Sequence, residues 1–356
     1  MTTNGGREPV FCTVVPPHVL DKLARSDDPA RSGPARRTLA RDNALRGRRQ
    51  VTTEFRLASA PSAKAPSDQP LRTVYDAGHG TDLPGAPARR EGEEAGPDAT
   101  VNRAYAGLGA TFDLFLREYG RHSVDGDGLP LDATVHYDRD YNNAFWNGEQ
   151  MVFGDGDGEI FLDFTLPVDV IGHELTHGVT QYTANLTYYG QSGALNESMS
   201  DVFGSLIKQY TLGQTAAEAD WLIGAGLLAP AVTGQALRSM KAPGTAYDDD
   251  VLGKDPQPAT MDGYVRTGRD NGGVHINSGI PNHAFYLVAT AIGGHAWEKA
   301  GRIWYDVLTG GELQERALFA DFATLTVRAA RERFGDGTDE FQAVEKAWEQ
   351  VGVQIL

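Results

Sequence analysis

The chain has almost no cysteine. Cys12 is the only one among 356 residues, so the chain cannot form an internal disulfide and cannot assemble a cysteine-based zinc finger. Stability must therefore come from packing and from bound ions. With 40% hydrophobic and 22% charged residues, the composition is that of a folded protein with a sizeable core, and its length favours two lobes.

Long apolar runs and an excess of basic residues are also missing. No stretch of about 18 consecutive apolar residues occurs, so we expect no membrane span. The first residues lack a basic start followed by an apolar run, so we expect no signal peptide, and either a cytoplasmic location or export by a signal-independent route. The formal net charge of −16 argues against nucleic acid or an anionic membrane surface as a partner, since both attract positive proteins.

Composition changes along the chain and predicts how it is divided. Basic residues outnumber acidic ones two to one in residues 1–50, whereas acidic residues are in excess in the remainder. This asymmetry favours a separate basic segment lying on an acidic body, and a flexible solvated arm is the alternative. We predict a front segment over residues 1–56 and a linker, rich in proline, serine and alanine, over residues 57–70.

Hydrophobic periodicity predicts an α+β fold with two lobes. Short strands between glycine-rich turns, with one amphipathic helix, predict a sheet-rich lobe over residues 71–167. Helical patterns predominate in residues 168–356 and predict a mainly helical second lobe. Two such lobes leave a cleft between them, where we expect the functional site.

One helical stretch of the second lobe carries a metal-binding pattern. In DVIGHELTHGVTQYT, residues 169–183, His173 and His177 lie four residues apart, so both imidazoles project from one helix face toward the same point. Glu174 then faces the open side of the metal and is placed to take a proton from water bound there. The alternative is a surface helix with two hydrogen-bonded histidines, and a third ligand would decide between them.

A second helical pattern offers that third ligand. In GALNESMSDVFG, Glu197 follows His177 by twenty residues, and Asp201 lies four residues further on the same helix face. Glu197 can bind the metal while Asp201 accepts the remaining N–H of a ligand histidine. Two histidines, one carboxylate and an open fourth position favour a single catalytic zinc ion.

These motifs, in this order, resemble the thermolysin family of zinc endopeptidases over roughly residues 71–356. The stretches that carry the resemblance are RTVYDAGHGTDLPG, NNAFWNGEQMVFGDGDG, DVIGHELTHGVTQYTANLTYYGQSGALNESMSDVFG, RSM and DNGGVHINSGIPNHAFYL. The resemblance implies the two-lobed thermolysin-like fold, protein or peptide substrates, and peptide-bond hydrolysis without a covalent intermediate.

The resemblance also implies a role for individual residues at the reacting centre. It implies zinc ligands at His173, His177 and Glu197, with Glu174 as general base and Asp201 behind His173. The residues that it implies for stabilising the oxyanion are Tyr188 and His275, with Asp270 orienting His275. Such donors make chemical sense, because negative charge that develops during the reaction needs hydrogen-bond donors fixed in advance.

Two further groups of residues are implied to bind the substrate. Those that hold the substrate backbone are Asn143, Ala144 and Arg238. Those that line the main specificity pocket are Phe161, Phe164, Val170, Ile223 and Leu237. The pocket implies cleavage before bulky apolar residues, and ordinary core packing is the alternative for its members.

The front segment resembles the short propeptide of the protealysin-like branch of this family, through CTVVPPHVL. That likeness implies a precursor inhibited by its own propeptide until cleavage in or before the linker. Pro16 and Pro17 are expected to stiffen a strand that crosses the cleft. Cys12 is a candidate latch whose thiolate reaches the zinc, and an inert buried thiol is the alternative.

The family's double calcium site departs most from the expected pattern. Asp169 and Asp220 stand at matching positions. The positions of other acidic ligands are held by Lys208, Leu222 and Ala225. An ammonium group opposes a dication, so we predict that the double site is lost or reduced. The calcium-like stretch GDGDG, residues 154–158, is interpreted as a tight turn.

The sequence therefore predicts a zinc-dependent neutral endopeptidase made as a self-inhibited precursor. One alternative is a catalytically silent binding or scaffolding protein that keeps the fold, although intact Glu174, Tyr188 and His275 argue against it. Another is a zinc aminopeptidase with the same ligands, which would need a group of residues that binds a free N-terminus.

Overall fold

The computed structural model describes residues 12–52 and 68–356. The predicted front segment is thus described from Cys12 to Thr52, and most of the predicted linker lies outside the described residues. The helices are α1 Pro17–Leu23, α2 Pro29–Thr52, α3 Ala99–Tyr119, α4 Val168–Tyr182, α5 Gly190–Leu212, α6 Asp270–Asn277, α7 Gly279–Ile292, α8 Ala300–Thr309, α9 Phe319–Phe334 and α10 Asp339–Gln350. The strands are β1 Cys12–Thr13, β2 Arg72–Asp76, β3 Ala86–Arg90, β4 Leu131–Val135, β5 Ala144–Trp146, β6 Met151–Phe153, β7 Leu222–Ile223, β8 Arg238–Ser239, β9 Asp248–Asp249 and β10 Gly253–Lys254.

A six-stranded sheet organises the first lobe of the described chain. Its strand order is β1-β5-β6-β4-β2-β3, with parallel pairs β2/β4 and β4/β6 and antiparallel pairs elsewhere. From Val168 onward the structure is mainly helical. This division confirms the predicted α+β fold with a sheet-rich and a helical lobe. Because β1 comes from the front segment, that segment adds an edge strand to the sheet beside β5.

Helix α3 shows how local sequence determines the elements around the site. Asp98 caps its start by accepting hydrogen bonds from the backbone N–H groups of Thr100 and Val101. Gly120 ends it with a φ of 67°, a left-handed conformation that glycine adopts without strain. Its buried side chains pack against the sheet, at β2 and β4, and against helix α4.

Helices α4 and α5 pack with their backbones unusually close. A Cβ atom added at Gly204 of α5 would lie 2.5 Å from the carbonyl oxygen of Asp169 on α4. A Cβ added at Gly172 of α4 would lie 2.5 Å from the Ile207 side chain on α5. Glycines at both positions therefore allow the approach, and they set the distance between the predicted ligands on the two helices.

The front segment packs on the body of the protein, which contradicts the alternative of a solvated arm for its described part. Val14, Val15, Leu20 and Leu23 are fully buried. The prediction that Pro16 and Pro17 stiffen a strand across the cleft is wrong, because strand β1 covers only Cys12–Thr13. Pro16 is instead the N-cap of α1 and Pro17 its first residue, a position that tolerates a missing N–H.

Candidate active site and metal centre

Four buried side chains point their donor atoms at one another where α4, α5 and β1 meet. The Nε2 atoms of His173 and His177 lie 3.1 Å apart. The carboxylate of Glu197 lies 3.7 Å from His173 Nε2 and 3.6 Å from His177 Nε2. Cys12 Sγ lies 2.6 Å from Glu197 Oε1, and the four donors all lie within 4.8 Å of one another. The structure thus brings together the three predicted ligands and the candidate latch.

The donors and their spacing fit a zinc ion. Ligand atoms about 2.0–2.3 Å from a tetrahedral zinc lie roughly 3–4 Å from one another, as the histidine and glutamate atoms do. Glu197 Oε2 is buried without a hydrogen-bond partner among the described residues, and such an oxygen needs a donor or a cation. Burial lowers the pKa of His177 to about 4, which keeps its imidazole in the neutral form that binds a metal.

Hydrogen bonds to Nδ1 fix the orientation of both histidines. His173 Nδ1 lies 2.8 Å from Asp201 Oδ1, and His177 Nδ1 lies 2.8 Å from Asn196 Oδ1. Both contacts leave Nε2 available for a metal ion. Sequence reasoning missed Asn196, for which the only signal is its place next to Glu197 in α5.

Asp201 is the centre of a wider buried network. Arg238 donates to its two oxygens at 2.8 and 2.9 Å, and Asn282 Nδ2 donates at 2.8 Å. Although burial opposes it, the Arg238 charge and the bond to His173 hold the pKa of Asp201 well below its usual range. Asn282 lies on α7 and was not among the predicted site residues, although it falls within the stretch DNGGVHINSGIPNHAFYL that carries the family resemblance.

Glu174 lies beside the cluster with one oxygen held and the other unpaired. Its Oε2 accepts a hydrogen bond from the backbone N–H of Trp146 on β5, at 2.9 Å. Its Oε1 has no hydrogen-bond partner in the described part of the chain. Burial and then the Glu197 carboxylate raise the pKa of Glu174, which suits a group that must accept and later release a proton.

His275, Tyr188 and Asp270 lie together on the Glu197 side of the cluster. His275 Nδ1 lies 2.6 Å from Asp270 Oδ1, and His275 Nε2 lies 3.3 Å from the Tyr188 hydroxyl, which also donates to Glu197. Although burial opposes it, the Asp270 and Glu197 carboxylates raise the pKa of His275 to about 9. The ring is then protonated, so both of its nitrogens donate.

Residues 12–15, here called the strap, lie as extended chain beside β5, and their first two residues form strand β1. Cys12 pairs with Trp146 and Thr13 with Phe145 in antiparallel register. The strap side chains are buried, so this part of the chain fills the groove next to the metal cluster. Beyond it, Pro16 has no N–H to continue the ladder, and the chain turns into α1.

The residues predicted to hold a substrate backbone all bind the strap. Val14 N–H donates to the Ala144 carbonyl at 3.2 Å, and Val15 N–H donates to Asn143 Oδ1 at 2.9 Å. Arg238 Nη1 donates to the Val14 carbonyl at 2.9 Å. These contacts are the ones that an extended peptide in the groove would need.

Helix α2 is linked to the strap through Asn143. Its Asp42 accepts hydrogen bonds from the Tyr141 hydroxyl at 2.5 Å and from Asn143 Nδ2 at 3.1 Å. The second bond turns the Asn143 amide so that its oxygen faces Val15. Asp42 was not among the predicted residues, because an acidic residue in a basic, exposed-looking helix gives no sign of burial.

Known proteins match both lobes of this chain. Residues 49–181 match the catalytic domain of the thermolysin metallopeptidases, and residues 184–353 match their α-helical domain. The chain belongs to the thermolysin family. It is therefore a metalloendopeptidase of a zinc-dependent family, which confirms the predicted family and enzyme class.

Individual relatives of the thermolysin family resemble the chain over nearly its whole length. An extracellular metalloprotease of Pectobacterium carotovorum subsp. carotovorum is 51% identical over 97% of each chain. Protease PrtS of Photorhabdus sp. (strain Az29) is 45% identical over 96% of this chain and 92% of its own. The solved precursor of protealysin, a metalloproteinase from Serratia proteamaculans, superposes with a TM-score of 0.87 at 51% identity, covering 96% of this chain and all of that one. The likeness to a precursor confirms that the chain is a thermolysin-like precursor.

The apolar residues predicted for the thermolysin-type specificity pocket are all buried. The Phe161 and Phe164 rings lie 5.8 Å apart, and the Leu237 N–H donates to the Ile223 carbonyl at 2.9 Å. Val170 lies on α4, one turn before His173. All five residues belong to the main apolar cluster of the described chain, as does Val14 of the strap.

Where the sequence predicts a lost or reduced calcium site, Lys208 lies among oxygen atoms. Its Nζ is 2.8 Å from Asp169 Oδ2, 2.9 Å from Asp220 Oδ1 and 2.6 Å from the Leu222 carbonyl. Although burial opposes it, the Asp169 carboxylate raises the pKa of Lys208, so the ammonium stays charged. A cationic group of the chain itself thus binds oxygens that would otherwise attract a dication.

The predicted turn at residues 154–158 is a tight loop. Asp157 Oδ1 accepts hydrogen bonds from the backbone N–H groups of Glu159, Ile160 and Phe161, so its carboxylate is bonded by the chain itself.

No helix in the described residues has both the length and the apolar character needed to cross a bilayer.

Proposed function

We propose that this thermolysin-family precursor hydrolyses internal peptide bonds at the cluster of His173, His177 and Glu197, with Glu174 as the proton carrier. The observation that carries the proposal is the convergence of three metal-binding side chains beside an unpaired Glu174 oxygen, in a groove that binds extended chain. Bound by these three side chains, zinc would supply a Lewis acid that polarises a carbonyl and lowers the pKa of water.

The chain's own residues supply the remaining steps. Glu174 Oε1 takes a proton from the attacking water and passes it to the leaving nitrogen. Protonated His275 donates from Nε2, and Tyr188 from its hydroxyl, to the carbonyl oxygen as it becomes negative. Asp270 keeps the His275 ring oriented through Nδ1. Asn143, Ala144 and Arg238 hold the substrate backbone, as they hold the strap.

The course of the strap favours an endopeptidase over an aminopeptidase. The strap lies in the groove as an internal segment, with residues of the chain both before Cys12 and after Val15. Described chain lies on either side of the Thr13 carbonyl at His275, with Cys12 paired to Trp146 and Val14 bonded to Ala144, and such a groove suits cleavage inside a polypeptide. The buried apolar residues around Phe161, Val170 and Leu237 support a preference for a bulky apolar residue just after the cut.

We further propose that residues 1–56 are the inhibitory propeptide and that Cys12 is its latch. Cys12 Sγ lies among the three ligand atoms, so its thiolate can take the fourth zinc position that water needs. Cleavage within residues 57–70 would then free the lobes at 71–167 and 168–356. Because the Pectobacterium relative is named an extracellular metalloprotease, we propose that this enzyme also acts outside the cell.

The test of the function is Glu174→Gln, with the exposed Glu349→Gln as the matched control. Both proteins are trimmed identically with an added protease, which is then inhibited. We expect equal zinc content by elemental assay and a roughly hundred- to ten-thousand-fold loss of peptide hydrolysis in Glu174→Gln only. Internal cuts in a defined peptide are expected, and stepwise removal of N-terminal residues would refute the endopeptidase assignment.

The latch has its own test, which does not depend on turnover. In the full-length precursor loaded with cobalt in place of zinc, a thiolate ligand gives a near-ultraviolet charge-transfer band. We expect this band in the wild type and its loss in Cys12→Ser, with raised hydrolysis of an added peptide. An unchanged spectrum and unchanged latency would show that Cys12 is an inert buried thiol.

A further inference from the structure

The strap presents one of its own peptide bonds to the groups that would carry out hydrolysis. The Thr13 carbonyl oxygen lies 3.0 Å from His275 Nε2, the donor assigned to the developing oxyanion. The nitrogen of the same peptide bond, that of Val14, donates at 3.2 Å to the carbonyl of Ala144 on β5, the strand whose Trp146 N–H holds Glu174. The carbonyl end of the Thr13–Val14 bond thus faces His275, and its nitrogen end faces β5, the strand that also holds Glu174.

The N-to-C direction of the strap decides whether its peptide bond could be cut. A substrate must place its carbonyl oxygen at the oxyanion donors and its amide nitrogen at the group that delivers a proton. A strap running the opposite way would exchange these two ends and could not be cut. The contacts on either side, from Arg238 to the Val14 carbonyl and from Val15 to Asn143, fix the strap in this register.

We propose that the strap is a built-in substrate and that Thr13–Val14 is a self-cleavage site, protected in the precursor by the Cys12 side chain. This inference rests on the proposed function. The Cys12 sulfur lies among the metal-binding atoms, where the attacking water would have to bind. The bond is therefore correctly placed but has no water to react with, and removing the sulfur while keeping the strap exposes it to hydrolysis.

The cleavage uses only water and groups already present. Water gives one proton to Glu174 Oε1 while its oxygen bonds to the Thr13 carbonyl carbon. The bond from that carbon to the Val14 nitrogen then breaks, and Glu174 returns the proton to this nitrogen. The products are a carboxyl group on Thr13 and a new amino terminus at Val14, so the atoms balance.

The experiment compares three full-length proteins: wild type, Cys12→Ala, and Cys12→Ala with Glu174→Gln. Each is prepared with a chelator, and the reaction is started with zinc. Intact mass and N-terminal sequencing are expected to find a chain beginning at Val14 in Cys12→Ala, and no such product in the other two. Because the strap is cut in its own groove, the rate should not change when the protein is diluted tenfold.

A second measurement tests the register without any turnover. The double variant cannot cut its strap, so hydrogen exchange reports whether the Val14 and Val15 amides stay bonded to Ala144 and Asn143. We expect slow exchange over this segment, as in Glu174→Gln alone, because the backbone bonds do not involve the Cys12 side chain. Rapid exchange would show that the thiol alone holds the strap, which would overturn the proposal.

An added quenched peptide separates this inference from the function on which it rests. If Cys12→Ala hydrolyses the peptide while its Thr13–Val14 bond stays whole or is cut only elsewhere, the built-in substrate is refuted and the proposed function stands. If neither the peptide nor the strap is hydrolysed, both are wrong.

Discussion

At the scale of single residues, Asp201 connects the proposed metal ligands to the proposed substrate groove. One carboxylate fixes the His173 ring, bonds Arg238 through two oxygens and accepts a hydrogen bond from Asn282. Arg238 in turn reaches the Val14 carbonyl of the strap. A change at Asp201 should therefore weaken both the zinc site and the groove.

We predict that Asp201→Asn lowers zinc affinity about ten- to a hundred-fold, because His173 loses the charged acceptor that orients its ring. Competition with a graded chelator measures this affinity. Asp248→Asn on exposed β9 is the control and should leave affinity unchanged. Equal affinities in both variants would mean that Asp201 serves only Arg238.

His136 should make stability depend on pH in the alkaline range. Hydrogen bonds to Asp155 and Asp98 raise its pKa from 6.5 to about 9, despite partial burial. A raised folded-state pKa contributes stability that is complete below pH 6.5 and is lost as the pH rises through about 9. We predict that His136→Gln costs about 1–2 kcal/mol of unfolding free energy at pH 6, allowing for solvent screening.

Urea unfolding at pH 6 and at pH 9.5 tests that prediction. The difference between wild type and His136→Gln should shrink at the higher pH, because the wild-type imidazole is then neutral too. A difference that is the same at both values would assign the cost to lost packing rather than to charge.

At the scale of elements, α4 and α5 form a rigid support for the ligands. The two helix backbones approach closely at Gly204, and Lys208, one turn further along α5, joins Asp169 of α4 to Asp220. One lysine side chain thus joins Asp169, Asp220 and the Leu222 carbonyl.

We predict that Lys208→Gln destabilises the protein by about 3–5 kcal/mol, since it leaves the buried Asp169 carboxylate unpaired. Added calcium should not raise the melting temperature of the wild type. Calorimetry with and without calcium makes both comparisons. Lys254→Gln removes an exposed ion pair to Asp248 and should have little effect, so an equal loss in both variants would contradict the assigned role.

Sequence patterns predicted elements better than they predicted their contacts. The amphipathic pattern ending at Gly120 became α3, and the His173–His177 helix and the Glu197 helix became α4 and α5. Their periodicity comes from burial, which the sequence records. The two prolines misled because their fixed φ suits both an extended strand and the first turn of a helix.

The site residues also divide into those that the sequence predicted and those that it missed. The proposed ligands and acid–base groups are of residue types whose chemistry is distinctive, so motif spacing can predict them. Asn196, Asn282 and Asp42 take part through hydrogen bonds of an amide or a carboxylate, which follow no sequence period. The Trp146 backbone N–H that holds Glu174 has no side-chain signature at all.

At the scale of the whole molecule, the front segment is bound to the body by partly exposed ion pairs and by buried hydrogen bonds. Arg31, Arg37 and Arg41 pair with Glu159, Asp140 and Asp138 of the body. These pairs are partly exposed and contribute little each. The buried bonds of Asp42 to Tyr141 and Asn143 should matter more, because breaking them leaves polar groups unpaired away from water.

We predict that Asp42→Ala weakens latency, with faster loss of the front segment and earlier activity against an added peptide. Each hydrogen-bond partner left unpaired costs about 1–3 kcal/mol. Time courses of intact mass and peptide hydrolysis follow the change. Arg37→Ala on the same helix removes only an exposed pair and should behave as wild type. Matching time courses for the two variants would rule out a special part for Asp42.

Strand β1 lies at the edge of the sheet and pairs with β5. If the front segment is removed as proposed, β5 becomes an unpaired edge whose backbone groups can bind another extended chain. A protein target must therefore unravel several consecutive residues before it fits, so compact targets should resist until they open locally. The rate at which a protein target is cut would then depend on how easily it unfolds locally as much as on its side chains.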